Sequence, residues 1–438
     1  MKKIKTHEAQ YDLAIVGGGA AGIFSAIQAS VNARSLGIPF LRVIILEGSR
    51  RFLTKVKISG GGRCNVTHNE FDINRLVESY PRGSKELRGP FSKFQPKDTI
   101  DFFESRDVKL KSEKDGRIFP VTDDSQTIID CLMSEIEARS IQLKKSFMLK
   151  RIEKQNDLFK LTDIKSSVIH ARKVIVATGS NVKIWDLLKN LGVNIVSPVP
   201  SLFTFTVQSD LIQGLSGISF GDVSLSLKVD GHHDKPSVYS FRGPLLITHW
   251  GLSGPAVLKL SAFAARDLFK SNYRAKLICN FLPEFSKEKA FGWIIEEAKK
   301  SPRRKVGKFC PFDAFSKRFW LRLVRHINID PDRNWSELSN KNFRRLAENI
   351  VACPFDVVAK GEFKEEFVTA GGVELRDVNF KTMESKDIKG MHFSGEILNI
   401  DGVTGGFNFQ NAWTTATIAA RGVVDCLSTE KSRVDPFL

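Results

Sequence analysis

Leu13-Ala14-Ile15-Val16-Gly17-Gly18-Gly19-Ala20-Ala21-Gly22 is the stretch on which the fold of this chain turns. Leu13 to Val16 has the unbroken apolar character of a strand buried on both faces of a parallel sheet, and Ile23 to Ser30 continues as a helix. Gly17, Gly19 and Gly22 fit the G-x-G-x-x-G spacing of a dinucleotide-binding turn. In such a turn the first glycine permits a tight reversal, the second lets backbone approach a pyrophosphate, and the third lets helix lie on strand. The helix N-terminus then directs its N–H groups and positive dipole end at the phosphates. Alone the spacing is weak, because glycine-rich turns also serve close packing. Here it lies between a strand and a helix, and the next apolar strand, Leu41 to Leu46, ends in Glu47. A carboxylate there accepts from ribose hydroxyls and repels a 2′-phosphate, so the pocket suits the ADP half of FAD or NAD.

A chain of 438 residues is long enough for two or three domains. No run approaches the roughly 20 apolar residues of a membrane span. Residues Met1 to Glu8 lack an apolar signal-peptide core, so a cytoplasmic location is expected. The six cysteines include no C-x-x-C pair. That predicts reduced thiols and argues against a structural metal or a dithiol redox centre. The net charge of +17 calls for a polyanionic partner to be weighed. Much of the excess is local: Lys299, Lys300, Arg303, Arg304, Lys305, Lys308, Lys317, Arg318, Arg322 and Arg325 face only Asp313, with Phe309, Phe312, Phe315, Phe319 and Trp320 interleaved. A helical subdomain with a solvated basic face and an aromatic core is preferred over RNA or membrane-surface binding, since no nucleic-acid motif accompanies the charge.

Beyond Glu47, three glycines (Gly60, Gly61 and Gly62) stand among Lys57, Ser59, Arg63, Cys64 and Asn65. Backbone N–H groups converge where no Cβ intrudes, so this loop suits an anion, although a surface loop explains it equally well. Helices are expected at Thr99 to Arg106 and Ser125 to Ala138. Three meander strands (Phe147 to Arg151, Leu158 to Thr162, Ser167 to Ala171) are expected before a buried strand from Lys173 that closes at Thr178-Gly179. From Leu202 to Ser240 alternating runs with Gly and Asp turns indicate an antiparallel sheet or small barrel. A helix from Ala256 to Asp267 follows Pro255, residues 286 to 350 read as helical, and extended sequence resumes at Val357. Near the C-terminus a strand from Gly390 ends in Gly395-Glu396. Asp401, Gly405, Gly406, Phe407 and Asn408 then lead to a helix from about Asn411 to Cys426. A Gly-acid strand end followed by a glycine turn into a helix suits a flavin, because the helix N-terminus stabilises negative charge developing on the reduced ring.

The chain resembles the BaiN/YhiN-like NAD(P)/FAD-dependent oxidoreductases, also called the aminoacetone oxidase family. The resemblance rests on AIVGGGAAG, KISGGGRCNVT, VIVATGS, FRGPLLITHWGLSGPA, FVTAGGVEL, TMESKDIKG and SGEILNIDGVTGGFNFQNAW, in family order along nearly the whole chain. It implies an α/β architecture: a discontinuous Rossmann-like FAD-binding domain (1–195 with 356–438), a β-barrel-like insert (196–285 with 346–355) and a small basic helical insert (286–345). By matching position, Gly17, Gly18, Gly19, Ala20, Ala21 and Gly22 would contact the pyrophosphate and Glu47 the adenosine ribose. Lys57, Gly60 to Cys64 and Asn65 would line the phosphate and flavin side, and Thr178 and Gly179 the ADP portion. Glu396, after Gly395, and Asp401 would follow the ribityl chain, with Gly405 to Asn408 under the ring. Phe407 and Phe409 depart from the family, which leads one to expect tyrosine and an aliphatic residue there.

The expected activity is hydride transfer between a small organic substrate and FAD, with reoxidation by O2 or NAD(P). With one complete G-x-G-x-x-G in the chain, NAD(P)H would bind only transiently. His249, in Thr248-His249-Trp250-Gly251, is the acid–base candidate, against a loop-ordering role that is the commoner one. Cys64 beside Arg63 is either a thiolate or a small packing residue, and packing is preferred. The alternative function is a flavoprotein that acts on or docks to RNA through the basic helical insert. Neither the substrate nor the oligomeric state is legible.

Overall fold

A computed structural model describes residues 10–230, 236–361 and 368–434, with side chains through 430. The chain forms two compact units, Met1–Pro198 with Thr369–Leu438, and Val199–Val368.

In the first unit β1 (Tyr11–Val16) lies between β2 (Val43–Leu46) and a long strand, Val168–Val176, parallel to both. Leu13 to Val16 is buried at every position, so both faces of this strand are covered, which is why the run is apolar throughout. Gln142–Lys144 extends the sheet beyond β2, and Met391–Phe393 lies parallel on the far side of Val168–Val176. Helix α1 (Ala20–Ser35) follows β1 and packs against α6 (Phe407–Val434).

Two of the expected meander strands, Leu149–Gln155 and Leu158–Asp163, form a hairpin. The third is not separate from the strand predicted at Lys173. Val168–Val176 is one nine-residue strand that pairs antiparallel with the hairpin at its start and parallel with β1 at its end. Its burial alternates as far as Lys173 and is then continuous. One strand thus carries two sequence patterns, since its first half has one wet face and its second half none. Two further boundaries differ from expectation. The helix after Gly254 runs Pro255–Phe263 and breaks at Ala264 before Ala265–Lys270. The C-terminal helix starts at Phe407, four residues before the predicted Asn411, directly on the glycine turn.

In the second unit Phe205–Gln208, Ser219–Val229, Ser237–Ile247, Gly251–Ser253, Ala275–Asn280 and Cys353–Lys360 close into a six-stranded barrel. Helices α3 (Lys287–Lys300), α4 (Lys317–His326) and α5 (Asn340–Val351) share a continuous core with it. Phe220 and Phe281 of the barrel side each meet the Phe319 ring at 4.8 Å between centroids. Among the described residues, no helix is long and apolar enough to cross a membrane, and no group of three or more His, Cys, Asp or Glu is placed to hold a metal ion.

Candidate functional site

The carboxyl ends of β1, β2 and Val168–Val176 and the N-terminus of α1 converge on a cavity of about 370 Å³. Open parallel sheets present ligands at this place. Gly17, Gly18, Gly19, Ala20, Ala21, Glu47, Thr178, Gly179, Glu396 and Asn408 line it, all ten anticipated from sequence.

The turn is built by close approach. Gly17 N–H donates to Leu46 O (2.8 Å) and Ala177 N–H to Val16 O (2.8 Å). A Cβ on Gly17, which has φ +109°, would stand 2.4 Å from Ala177 O, and one on Gly22 would stand 1.9 Å from Gly17 O. Gly22 therefore lies behind the cavity and sets helix on strand. Gly19 has open space where a side chain would project. It caps α1 without a side-chain hydrogen bond, and the first turn carries no acid, so the end of the helix is left for an exogenous anion. Glu47 is held by two backbone donors: Gly18 N–H to Oε2 (2.7 Å) and Ser49 N–H to Oε1 (2.7 Å). Thr178 Oγ1 is buried at the cavity wall without a hydrogen-bond partner. A glycine cradle, a helix end without an internal anion, a positioned carboxylate and an orphaned hydroxyl together fit the ADP half of FAD.

The other anticipated residues lie behind or beside the cavity lining. Lys57 points away, to Asp124 (3.5 Å) and Gln126 (3.1 Å). Lys55 lines the cavity instead, with Nζ 2.7 Å from Glu396 Oε2. Both lysines lie on one turn, α2 (Thr54–Ile58), and a spacing of two on a helix puts them on opposite sides. Gly60, Gly61 and Gly62 all have positive φ, and Arg63 beside them is committed to Glu113 (2.7 Å) and to the Phe119 ring (4.0 Å). Cys64 is fully buried, and burial pushes its thiol up to about 12, so it packs and carries no thiolate near neutrality. Asn65, with its amide turned to satisfy its neighbours, donates to Thr67 O (2.9 Å) and accepts from Gly406 N–H (2.8 Å). The loop thereby fastens the start of α6.

At that start Asn408 bridges Gly402 through both amide atoms (2.8 and 3.0 Å), and Tyr80 Oη–H donates to Phe407 O (2.7 Å). Phe407 stacks on His68 at 4.5 Å, while Phe409 lines the cavity. Asp401 is buried in an ion pair with Arg82. Gly395 N–H is taken by Thr415 Oγ1 (2.9 Å), and its φ of +75° ends the preceding strand and turns Glu396 to the cavity. His249 belongs to the second unit, where it and Trp250 line a cleft with Ser209 and Asp210.

Residues that sequence reasoning missed are Ser49, Arg51, Leu53, Thr54 and Lys55 on one wall and Phe409 and Ala412 on the other. A helical reading of residues 54–58 would have separated Lys55 from Lys57. The α6 residues become legible once that helix is started at the glycine turn.

The fold and site define a Rossmann-type, dinucleotide-binding enzyme of the FAD-dependent oxidoreductase class. Residues 11–422 match the family described as HI0933-like protein Rossmann domain, and the chain belongs to that family. It is 26% identical over 431 residues to the ribosomal RNA dihydrouridine synthase of Escherichia coli (strain K12), covering 96% of this chain and 100% of that one. It is also 26% identical over 424 residues to the 3-dehydro-bile acid delta(4,6)-reductase of Clostridium scindens, covering 94% and 99%. Among solved structures it is similar to 3-ketosteroid-delta4-(5alpha)-dehydrogenase from Rhodococcus jostii RHA1, with TM-score 0.49, 11% identity, and coverage of 96% of this chain and 98% of that one.

Proposed function

We propose that this protein binds FAD and transfers a hydride between a small organic substrate and the flavin, with O2 or NAD(P) completing the cycle. The observation that carries this reading is the cavity at the strand ends, where the Gly17–Gly22 cradle, Glu47 and the unpartnered Thr178 hydroxyl meet. Bound FAD supplies a reversible two-electron hydride carrier. The chain supplies position and charge. The N-terminus of α1 would receive the diphosphate, Glu47 would accept from the adenosine ribose, and Thr178 would donate its free hydroxyl hydrogen to the ADP portion. The N-terminus of α6 offers backbone N–H groups and a positive dipole end toward charge developing on the ring. One relative is named a reductase and another a dihydrouridine synthase, which favours the direction in which the substrate gains hydrogen; in that direction NAD(P)H re-reduces the flavin, and O2 serves only the opposite direction.

A second substrate reading is supported by the name of the Escherichia coli relative and by the charge of this chain. Lys299, Arg303, Arg304, Lys305 and Lys308 are exposed in and after α3. On this reading the substrate is RNA, held by its phosphates on that face.

The test is an absorbance spectrum of the purified protein, followed by anaerobic reduction with NADH and NADPH. Bound FAD is expected, with bleaching by one nicotinamide and recovery on adding an electron-accepting substrate. A colourless protein that takes up no FAD would overturn the proposal. Substrate-driven recovery with an unsaturated small molecule, with RNA, or with both then decides between the readings.

A further inference from the structure

Lys55 and Glu396 reach the cavity from two distant segments, one from α2 and one from the segment after Met391–Phe393, and they meet at 2.7 Å. Both stand over Gly179: a Cβ there would lie 3.5 Å from Glu396 Oε2 and 3.6 Å from Lys55 Nζ. The Lys55 side chain is 68% exposed and that of Glu396 is 27% exposed. An ion pair so wet contributes little and exchanges readily. Lys57 faces Asp124 and Arg63 is held by Glu113, so the basic side chains in the lining are Arg51 and Lys55, of which Lys55 is the one paired with Glu396. The lining also includes the N-terminus of α1, which has no acid in its first turn and no side-chain cap.

We propose that Lys55 is a diphosphate-binding cation of this cavity, and that its ion pair with Glu396 is a strap that the incoming dinucleotide exchanges. On binding, the Lys55 ammonium transfers from the carboxylate to the diphosphate, which the α1 N-terminus also contacts. Glu396, released, accepts hydrogen bonds from hydroxyls of the ligand. After the exchange the ammonium is paired with the diphosphate and the carboxylate is hydrogen-bonded to hydroxyls, so each charge keeps a polar partner. This assignment rests on the FAD reading above, and it gives the carboxylate two successive partners.

The experiment measures binding of FAD, ADP and adenosine to flavin-stripped protein by calorimetry at two salt concentrations, for wild type, Lys55→Met, Lys55→Arg and Glu396→Gln. Lys55→Met is expected to weaken FAD and ADP by about tenfold or more, the size of a lost charge-assisted hydrogen bond. It should also flatten their salt dependence and leave adenosine unchanged. Lys55→Arg should keep most of the affinity. Glu396→Gln should tighten ADP, because Lys55 loses its competing partner, while weakening FAD. Unchanged ADP affinity in Lys55→Met, or an equal loss for adenosine, overturns the strap while FAD binding by the wild type stands. Wild-type protein that binds neither FAD nor ADP overturns the cofactor reading and the strap with it.

Discussion

At Gly22 the space for a methyl group is already filled by the Gly17 carbonyl, 1.9 Å from where a Cβ would stand. Gly22→Ala must push α1 off β1. It is expected to cost about 1–3 kcal/mol, as overpacking does, and to lower bound flavin; thermal melts and the flavin-to-protein absorbance ratio check both. Two buried titratable groups give further tests. Cys64 is pushed up to about 12 by burial, so native protein at pH 8 should leave it unalkylated by iodoacetamide, whereas unfolded protein should not. Mass mapping of the modified peptides reads the difference. His392 is 1% exposed, its Nδ1–H donates to Thr382 O (2.9 Å), and burial pushes it down to about 4. Its folded pKa lies below the ordinary 6.5, so the unfolded chain binds the extra proton first. The stability due to the neutral ring is complete above pH 6.5 and is lost as pH falls toward 4. The wild type should lose on the order of 1–3 kcal/mol from pH 7 to pH 4.5 through this group. His392→Gln should flatten that slope in urea titrations.

Elements in this protein were legible where one physical environment governs a whole segment. β1, buried on both sides, reads as an unbroken apolar run, and Ser125–Ala138 lies where its apolar periodicity put it. Val168–Val176 was misread because its two halves pair with different neighbours. The short turn Thr54–Ile58 was passed over because five residues carry too little periodicity to announce a helix. Lys55 was lost with it. Helix α6 hides another conflict between local and tertiary demands. Gly422 is buried within it, and helix propensity alone favours alanine there by about 1 kcal/mol. A Cβ would stand 2.6 Å from Thr382 O, a backbone atom that cannot rotate away. Gly422→Ala should therefore destabilise the protein, and a lower unfolding midpoint in urea checks the sign.

Across the whole molecule the +17 charge is the property that most separates the two substrate readings. Within the second unit, Phe319 and Trp320 are buried while Lys317, Arg318 and Arg325 stay exposed, so the aromatic and basic residues of α4 divide between core and surface. If RNA is the substrate, Arg303→Glu with Arg304→Glu and Lys308→Glu should weaken retention on RNA and remove about three from the salt slope of binding. The flavin spectrum should remain unchanged, since none of these residues lines the cavity of the first unit. If the substrate is a small molecule, the same triple variant should keep wild-type turnover with it.

By itself the sequence determined the parallel strand, the glycine turn, the carboxylate after β2 and the second glycine turn near the C-terminus. Each is written in adjacent residues, because a tight turn or a doubly buried strand leaves no local freedom. Only the tertiary structure decided which of two lysines on one turn reaches the cavity, which charged side chains are already spent on one another, and which residues of α6 line the wall. Those outcomes depend on facing surfaces drawn from residues more than 300 positions apart, such as Lys55 and Glu396. No local pattern records them.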